Sequence, residues 1–407
     1  MKLLHTADWH LGKRLDHYSR LSEQRLVMEE ICEIAEREQV DAVLLAGDLY
    51  DHINPSIEAI ELLYKTLKRL ADNGKRAVIG IAGNHDSPDR IEAPDPLARE
   101  CGIILTGYPH SQVPTFKLDT GLEVLQSAPG FVEISLPSAN APLRIILTPY
   151  ANEVRLRTYL GLDDPEQALR EALQQHWQQL AEQYCDPNGV NLLLGHLFCM
   201  QKDGPREEEG EDEKPILMVG GAQEIYTHNL PTSLQYAALG HLHRPFAVCK
   251  EPYPIVYAGS PLSYSMSEAG QQKSVVLIEA EPGQAVQYQR LPLQQGKRLA
   301  RQSFDEVDQA EEWLKANPDL LVELTLISDD YLTAADRKRL YQAHQGIINI
   351  IPQITNQQLL EGERSEIDLS RNMTELFRDY FASKQGGQKP DDQLMDLFKE
   401  VLAEDEE

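Results

Sequence analysis

The sequence lacks the features that would mark a membrane-spanning, secreted or disulfide-bonded protein. No apolar run approaches the roughly 18 residues of a membrane span, and the first residues contain no apolar core of a secretory signal. The five cysteines are scattered, odd in number and form no Cys-x-x-Cys pair, which argues against a disulfide framework or a thiolate zinc site. We therefore expect a cytoplasmic chain with reduced thiols.

Positive charge is also scarce. The chain has 38 Lys and Arg against 65 Asp and Glu, for a formal net charge of −27. Proteins that bind nucleic acid on their own usually present a basic surface, because neutralising phosphates supplies much of their affinity. We therefore expect weak binding of nucleic acid by the lone chain, unless a partner or bound divalent metals supply positive charge.

Five short polar blocks stand out against this background. Nearly every block follows a run of Leu, Ile, Val and Ala, and such runs predict buried strands of an α/β sheet. Open α/β sheets place their sites just past the carboxyl ends of such strands. Singly, each block reads as a turn, a loop or an exposed pair, but their joint occurrence in this order predicts one site. The blocks contain Asp8 and His10, Asp48, Asn84 and His85, His196, and His241 and His243.

The residue types in these blocks predict a centre of two metal ions. Carboxylates, imidazoles and one carboxamide without cysteine suit Mn²⁺, Fe or Zn. Two ions about 3.5–4 Å apart need a bridging ligand, and the carboxylate of Asp48 is suited to that. Asp8 and His10 are two apart, so on an extended segment they would point to the same side and chelate one ion. His85 would point away from the metal, towards a substrate phosphate.

The order Asp-x-His, Gly-Asp, Gly-Asn-His, Gly-His and Gly-His-x-His resembles the signature of the calcineurin-like metallophosphoesterases. The resemblance implies one metal held by Asp8, His10, Asp48 and His243. It implies a second metal held by Asp48, Asn84, His196 and His241. It also implies that His85 acts as a general acid or stabilises the transition state.

Residues 4–12, 47–51, 83–87, 195–198, 240–245 and 257–262 further resemble the SbcD-type nuclease subunits. This resemblance implies a DNA nuclease with two Mn²⁺ ions, a 3′→5′ exonuclease on double-stranded ends and an endonuclease on hairpin DNA. It implies work in DNA repair, recombination and replication with an SbcC-like coiled-coil ATPase, as a homodimer within a heterotetramer associated with the nucleoid. One departure is Asp51, where archaeal and eukaryotic relatives have a catalytic histidine. Whether Asp51 or the adjacent His52 assists catalysis stays open.

The sequence pattern and the resemblance together predict four regions. The expected fold is α/β: a calcineurin-like phosphoesterase β-sandwich flanked by helices in residues 1–270. A small α/β capping domain follows in residues 271–352, then a linker in residues 353–370 and a C-terminal helical hairpin in residues 371–407. The hairpin is predicted from two apolar stripes at helical spacing. They consist of Met373, Leu376, Phe377, Tyr380, Phe381, Leu394, Leu397, Phe398, Val401 and Leu402.

The stripes of the hairpin either pack on the chain's own domains or bind a partner, and the polar linker favours the partner. Lys13, Arg14 and Arg20 follow the first ligand block and are candidates for contacts with DNA phosphates. The alternative, that they are ordinary basic residues of the surface, also stays open.

Two other functions remain open. One is a phosphatase or cyclic-nucleotide phosphodiesterase for small substrates on the same core, and the other is a non-catalytic scaffold.

Overall fold

A computed structural model describes residues 1–157, 164–202, 204, 224–329, 332–355, 373–384, 390, 394, 395 and 398. The chain divides into two compact units, residues 1–300 with 319–321, and residues 301–318 with 322–407. The strands of the first unit are β1 Lys2–Thr6, β2 Arg14–Leu15, β3 Tyr18–Ser19, β4 Ala42–Leu45, β5 Ala77–Ile81, β6 Ile103–Thr106, β7 Glu123–Ala128, β8 Phe131–Ser135, β9 Leu143–Thr148, β10 Val190–His196, β11 Phe198–Met200, β12 Glu224–Tyr226, β13 Tyr236–Gly240, β14 Phe246–Cys249, β15 Ile255–Tyr257, β16 Ser274–Glu279 and β17 Gln287–Pro292. Its helices are α1 Leu21–Arg37, α2 Ile57–Leu70, α3 Pro88–Glu92, α4 Asp95–Arg99, α5 Glu153–Leu156 and α6 Pro165–Tyr184.

Two mixed sheets form the body of the first unit. One has the strand order β17-β16-β1-β4-β5-β6 and the other β14-β15-β13-β10-β9-β8-β7. Strands β1, β4, β5 and β6 run parallel, as do β9, β10, β13 and β15. The central strands are apolar along their whole length because both faces of each sheet are covered.

Three apolar clusters hold the layers together. Side chains from the inner faces of both sheets, such as Leu44 and Leu192, form the middle cluster. A second cluster packs α1 and α2 on the outer face of the first sheet, and a third packs α6 on the outer face of the second. This is the β-sandwich flanked by helices that the sequence predicts.

The helices begin where their sequences supply caps. Ser56 accepts a hydrogen bond from the amide of Ala59 at the start of α2, and Asp164 accepts one from Gln167 at the start of α6. Pro165 occupies the first turn of α6, where its missing amide hydrogen costs nothing.

The first unit ends later than the expected boundary at residue 270. Strand β16 pairs antiparallel with β1, with Leu4 opposite Leu277, and β17 pairs with β16. Residues 274–292 therefore complete the first sheet instead of opening the next domain.

The second unit contains a three-stranded sheet and the described part of the tail. Strands β18 Leu299–Phe304, β19 Leu321–Ser328 and β20 Ile347–Ile354 form the sheet in the order β18-β19-β20. Helices α7 Val307–Ala316 and α8 Ala334–Ala343 alternate with these strands, as the sequence predicts. The tail begins with α9 Met373–Lys384.

The described residues of the tail show contact between its two apolar stripes. The ring of Phe377 in α9 stacks on that of Phe398 at a centroid distance of 3.9 Å and an interplanar angle of 9°. Met395, beside the second stripe, is buried, whereas Met373 and Tyr380 are exposed. Residues 356–370 of the expected linker, and Leu397, Val401 and Leu402 of the second stripe, lie outside the described residues.

Candidate metal centre

The seven predicted metal ligands and His85 meet at one edge of the sandwich. In the first sheet, Asp8 and His10 follow β1, Asp48 follows β4, and Asn84 and His85 follow β5. In the second sheet, His196 ends β10, and His241 and His243 follow β13. The carboxyl ends of these parallel strands lie at the same edge, so the two sheets together close the site. All of these residues except Asn84 are buried.

The backbone of the ligand loops is left-handed at four of these residues. The φ angles are 52° at Asp8, 43° at His10, 49° at Asp48 and 113° at His241. The expectation that Asp8 and His10 lie on an extended segment is therefore wrong. Left-handed backbone at non-glycine residues costs free energy and gathers at functional sites. Hydrogen bonds from the Asp8 amide to Gly47 and from the His10 amide to Asp48 hold the first loop in this form.

Two glycines allow the loops to approach each other. A Cβ atom on Gly83 would lie 2.1 Å from Oδ1 of Asp48, and one on Gly240 would lie 1.9 Å from the carbonyl oxygen of Ala46. Only a residue without a side chain fits at either place. These contacts bring the β5 loop and the β13 loop onto the β4 loop.

The first group of ligand atoms comprises those of Asp8, His10 and Asp48, which lie within 4.8 Å of one another. Nε2 of His10 is 3.5 Å from Oδ2 of Asp48. Nε2 of His243 is 3.0 Å from Nε2 of His10. Two imidazole nitrogens and two carboxylates at this spacing can surround one cation.

The second group shares Asp48 with the first. Nε2 of His196 is 3.4 Å from Oδ2 of Asp48 and 2.7 Å from Oδ1 of Asn84. Nδ1 of His241 is 3.1 Å from the same Asn84 oxygen. Nδ1 of His196 donates to the carbonyl oxygen of Ala46, which leaves Nε2 with the lone pair that a metal requires. Oδ2 of Asp48 therefore lies between the two groups, where a bridging ligand belongs.

An orphaned polar atom supports the fit of divalent cations to these donors. Within the described ranges, Oδ2 of Asp8 is buried and has no hydrogen-bond partner. The other oxygen of Asp8 accepts from the amide of His241. A buried carboxylate oxygen without a partner is costly, and a bound cation would stabilise it. The donor set, all oxygen and imidazole nitrogen, suits divalent metals.

The pKa values of the two carboxylates of the site are shifted in opposite directions. Burial raises the pKa of Asp8 to about 7, because the charged form is poorly solvated there. Burial acts in the same direction on Asp48, but the rings of His196 and His85 outweigh it and hold the pKa of Asp48 well below its usual range. Burial acts to lower the pKa of His196, yet Asp48 and Asp8 outweigh it and raise that pKa to about 9. A positive charge on His196 would place a proton on its Nε2, and a metal ion bound at that nitrogen would take the place of this proton.

His85 is oriented by the backbone of the loop after β4. Its Nδ1 lies 3.0 Å from the carbonyl oxygen of Asp51, and its amide donates to Oδ1 of Asp48. Because a carbonyl only accepts, Nδ1 carries the hydrogen and Nε2 is the atom available to a substrate. The side chain of Asp51 contacts Lys13 and the exposed His52, at 3.0 Å and 2.9 Å.

Two further residues, Asp86 and Arg155, hold the ligand loops in position. The carboxylate of Asp86 accepts from the amides of Gly83, Leu49 and Tyr50, which ties the β5 loop to the β4 loop. The guanidinium of Arg155 donates to the carbonyl oxygens of Gly83 and Asp86. Asp86 adjoins His85 in the sequence, but Arg155 lies on a remote helix, and no local signal indicates its role.

The three candidate DNA-contact residues differ in their surroundings. Arg20 is fully buried, forms a two-pronged ion pair with Glu23 and donates to the carbonyl oxygen of Ser263, so its expected contact with DNA is wrong. Lys13 pairs with Asp51 beside His10. Arg14 is exposed and contacts the backbone of His17.

No helix among the described residues is long and apolar enough to cross a membrane.

Comparisons with known proteins show which proteins this chain is similar to. Residues 1–200 match the family described as calcineurin-like phosphoesterase. The SbcD subunit of nuclease SbcCD from Bacillus subtilis (strain 168) is 34% identical over 414 residues, covering 100% of this chain and 99% of that protein. The SbcD subunit of nuclease SbcCD from Rhodobacter capsulatus is 32% identical over 297 residues, covering 72% of this chain and 69% of that protein. A solved dimetal phosphatase from Danio rerio has a TM-score of 0.36 at 11% identity, covering 71% of this chain and 98% of that one.

Residues 1–200 form a calcineurin-like phosphoesterase domain, and this match together with the nuclease relatives defines the class of the chain as a metal-dependent hydrolase. Within this class, the full-length similarity shows that the chain belongs to the family of SbcD subunits of nuclease SbcCD. The predicted fold class, family and enzyme class are therefore confirmed.

Proposed function

We propose that this chain is the DNA nuclease subunit of an SbcC–SbcD-type complex and that it hydrolyses phosphodiester bonds with two Mn²⁺ ions. The observation that carries the proposal is the position of Asp48. Its Oδ2 lies within 3.5 Å of ligand nitrogens from both groups, His10 on one side and His196 on the other. One carboxylate between two sets of donors is the arrangement that a two-metal hydrolase needs.

The two ions would share Asp48 and divide the other ligands. Asp8, His10 and His243 would hold one ion, and Asn84, His196 and His241 would hold the other. Bound in this way, the metals would polarise the phosphodiester and lower the pKa of a water molecule into the neutral range. The carboxamide of Asn84 adds a donor oxygen without adding charge to an already acidic site.

His85 acts on the substrate rather than on the metals. Its ring is held through Nδ1, so Nε2 is presented to a scissile phosphate. A proton held at Nε2 stabilises the charge that develops on the phosphoryl oxygens or passes to the leaving 3′-oxygen. Asp51 orients the ring of His85 through its backbone oxygen. A histidine at position 51 is not needed for this contact.

The substrate in this proposal is DNA, cleaved as a 3′→5′ exonuclease on double-stranded ends and as an endonuclease on hairpins. Lys13 and Arg14 remain the proposed contacts to backbone phosphates. The net charge of −27 is adverse to DNA binding by the lone chain, so an SbcC-like coiled-coil ATPase would supply most of the affinity. We place the complex in the cytoplasm at the nucleoid, in DNA repair, recombination and replication.

The C-terminal hairpin is the proposed docking element for the ATPase, within a heterotetramer that contains two copies of this chain. Phe377 and Phe398 stack on each other, so the two apolar stripes are in contact there. Met373 and Tyr380 are more than half exposed on α9, at 58% and 56%. Exposed apolar side chains on a terminal hairpin are suited to burial in a partner, at about 1.5–3 kcal/mol for each one.

The decisive assay uses the purified chain with Mn²⁺ on three substrates: hairpin DNA, blunt duplex DNA and a small chromogenic phosphodiester. The proposal predicts opening of the hairpin and shortening of the duplex from its 3′ ends. Cleavage of the small substrate alone would support the phosphatase or cyclic-nucleotide phosphodiesterase alternative. Cleavage of none, by a chain shown to contain both metals, would support the scaffold alternative.

A further inference from the structure

A buried ion pair lies directly behind the ligand His243. Glu268 and Lys273 are both buried, and the Lys273 ammonium donates to the Glu268 carboxylate. Neither residue belongs to the ligand blocks, and neither has a part in the mechanism described above. A buried pair of this kind contributes little net stability compared with apolar packing, so its place beside a ligand calls for an explanation.

Both members of the pair contact His243. Oε1 of Glu268 lies 3.5 Å from Nδ1 of the His243 ring. The Lys273 ammonium donates to the backbone oxygen of His243 at 2.9 Å and to the hydroxyl of Ser260 at 3.1 Å. The pair therefore holds the ligand at its ring and at its backbone.

The carboxylate of Glu268 is itself fixed in place. It accepts from the amides of Tyr264 and Ser265, each at 2.9 Å, in addition to Lys273. The opposite nitrogen of the His243 ring, Nε2, is 3.0 Å from Nε2 of His10. The ring thus has a fixed acceptor on its Nδ1 side and the first group of metal donors on its Nε2 side.

We propose that Glu268, held by Lys273, is a positioning residue that keeps the hydrogen of the His243 ring on Nδ1 and presents the Nε2 lone pair to the first metal ion. An acceptor behind an imidazole ligand fixes its tautomer and raises its basicity, and loss of such an acceptor commonly lowers metal affinity 10–100-fold. The inference rests on the proposed metal centre, because it assigns a role towards one ion of that centre.

The test is calorimetric titration of the metal-free full-length chain with Mn²⁺. In Glu268→Gln an amide replaces the carboxylate, and an amide can donate a hydrogen bond as well as accept one. We expect this variant to bind one of the two ions roughly 10–100-fold more weakly and the other with unchanged affinity. In a His243→Ala background, Glu268→Gln should cause no further loss, because its effect acts through that ring.

Glu133→Gln is the matched control. Glu133 is a buried carboxylate paired with Arg144 at 2.6 Å, and it lies on β8, away from the ligand loops. If breaking any buried ion pair weakened Mn²⁺ binding, Glu133→Gln would bind Mn²⁺ as weakly as Glu268→Gln. The inference is overturned if Glu268→Gln weakens both ions alike, weakens neither, or adds to the loss in the His243→Ala background.

A second measurement needs no stable Glu268 variant. In ¹⁵N-histidine spectra of the metal-free chain at alkaline pH, His243 should carry its hydrogen on Nδ1, and a hydrogen on Nε2 overturns the inference. A wild-type chain that takes up no Mn²⁺ refutes the proposed centre together with this inference. Uptake of two ions by the wild type and by Glu268→Gln with equal affinity refutes the inference alone.

Discussion

Nδ1 of His196, at the end of β10, lies 2.8 Å from the carbonyl oxygen of Ala46, which follows β4. This hydrogen bond connects the two sheets at the edge where the ligands meet. It also fixes which nitrogen of His196 faces Asp48. The neighbouring Gly47 makes this close approach possible, because a Cβ atom there would lie 2.3 Å from the same nitrogen.

We predict that Gly47→Ala displaces the His196 ring and weakens metal binding. The φ of Gly47 is +88°, so alanine adds backbone strain of about 1–2 kcal/mol as well as the clash. Mn²⁺ titration and urea unfolding measure the two effects separately.

Gly121→Ala is the control for backbone strain alone. Its φ is +94°, and the nearest atom to a Cβ there would be Cβ of Pro137, at 3.9 Å. It should lose stability to a similar degree and keep both metals. Equal metal binding by the two variants would show that the His196 contact does not matter for the centre.

Asp48→Asn and His85→Gln should both strongly reduce cleavage of hairpin DNA, but for different reasons. Loss of the bridging carboxylate should lower metal occupancy. Loss of the imidazole should leave both ions bound and reduce the rate by roughly 10²–10⁴-fold, the usual contribution of a general acid. Metal analysis of the purified variants distinguishes them, and the same metal loss in both would contradict this division of roles.

Acid should destabilise the chain partly through His5. Its ring accepts from the hydroxyl of Tyr236 and donates to the carbonyl oxygen of Leu239, and burial lowers its pKa to about 3. In the unfolded chain histidine titrates near pH 6.5, so below that pH the unfolded state binds more protons at this position. Stability therefore falls as the pH falls from 6.5 towards 3, by about 2 kcal/mol at pH 5.

Urea unfolding of the metal-free chain between pH 5 and pH 7 measures this effect. His5→Gln should show a shallower decline than the wild type, whatever its stability at pH 7. His52→Gln, at an exposed position, should decline like the wild type. Parallel curves for His5→Gln and the wild type would show that His5 is not the buried neutral group described here.

The tail should be needed for assembly and not for chemistry. Deletion of residues 373–407, or aspartate at both Met373 and Tyr380, should abolish co-purification with an SbcC-like ATPase while Mn²⁺-dependent cleavage is retained. Phe377→Asp should act by opening the hairpin, because it removes the stacking on Phe398. Arg378→Gln is the control, because Arg378 is also exposed on α9 and its replacement makes the charge more negative without removing an apolar side chain. This variant should still co-purify with the ATPase. Assembly by the deleted chain would refute the docking role.

The sequence predicts which loops meet, because each block of candidate ligands adjoins a buried apolar strand. That local pattern, repeated at β1, β4, β5, β10 and β13, is sufficient to bring the ligands to one edge. It does not predict the left-handed backbone at Asp8 and His10, which depends on hydrogen bonds to the β4 loop. Tertiary contacts decide that conformation.

The surroundings of charged side chains are harder to predict. Arg20 reads as a surface base, yet it is buried because Glu23, three residues later on α1, neutralises it and a remote carbonyl group accepts its hydrogen bond. The spacing to Glu23 was a usable signal. Arg155 and Glu268 have none, since their partners come from segments distant in sequence.

The most direct test of the two-metal account is anomalous diffraction from crystals of the full chain soaked in Mn²⁺. The account predicts two peaks about 3.5–4 Å apart, with Asp48 between them. One peak should contact Asp8, His10 and His243, and the other Asn84, His196 and His241. A single ion, or two ions without Asp48 as a shared ligand, would contradict it.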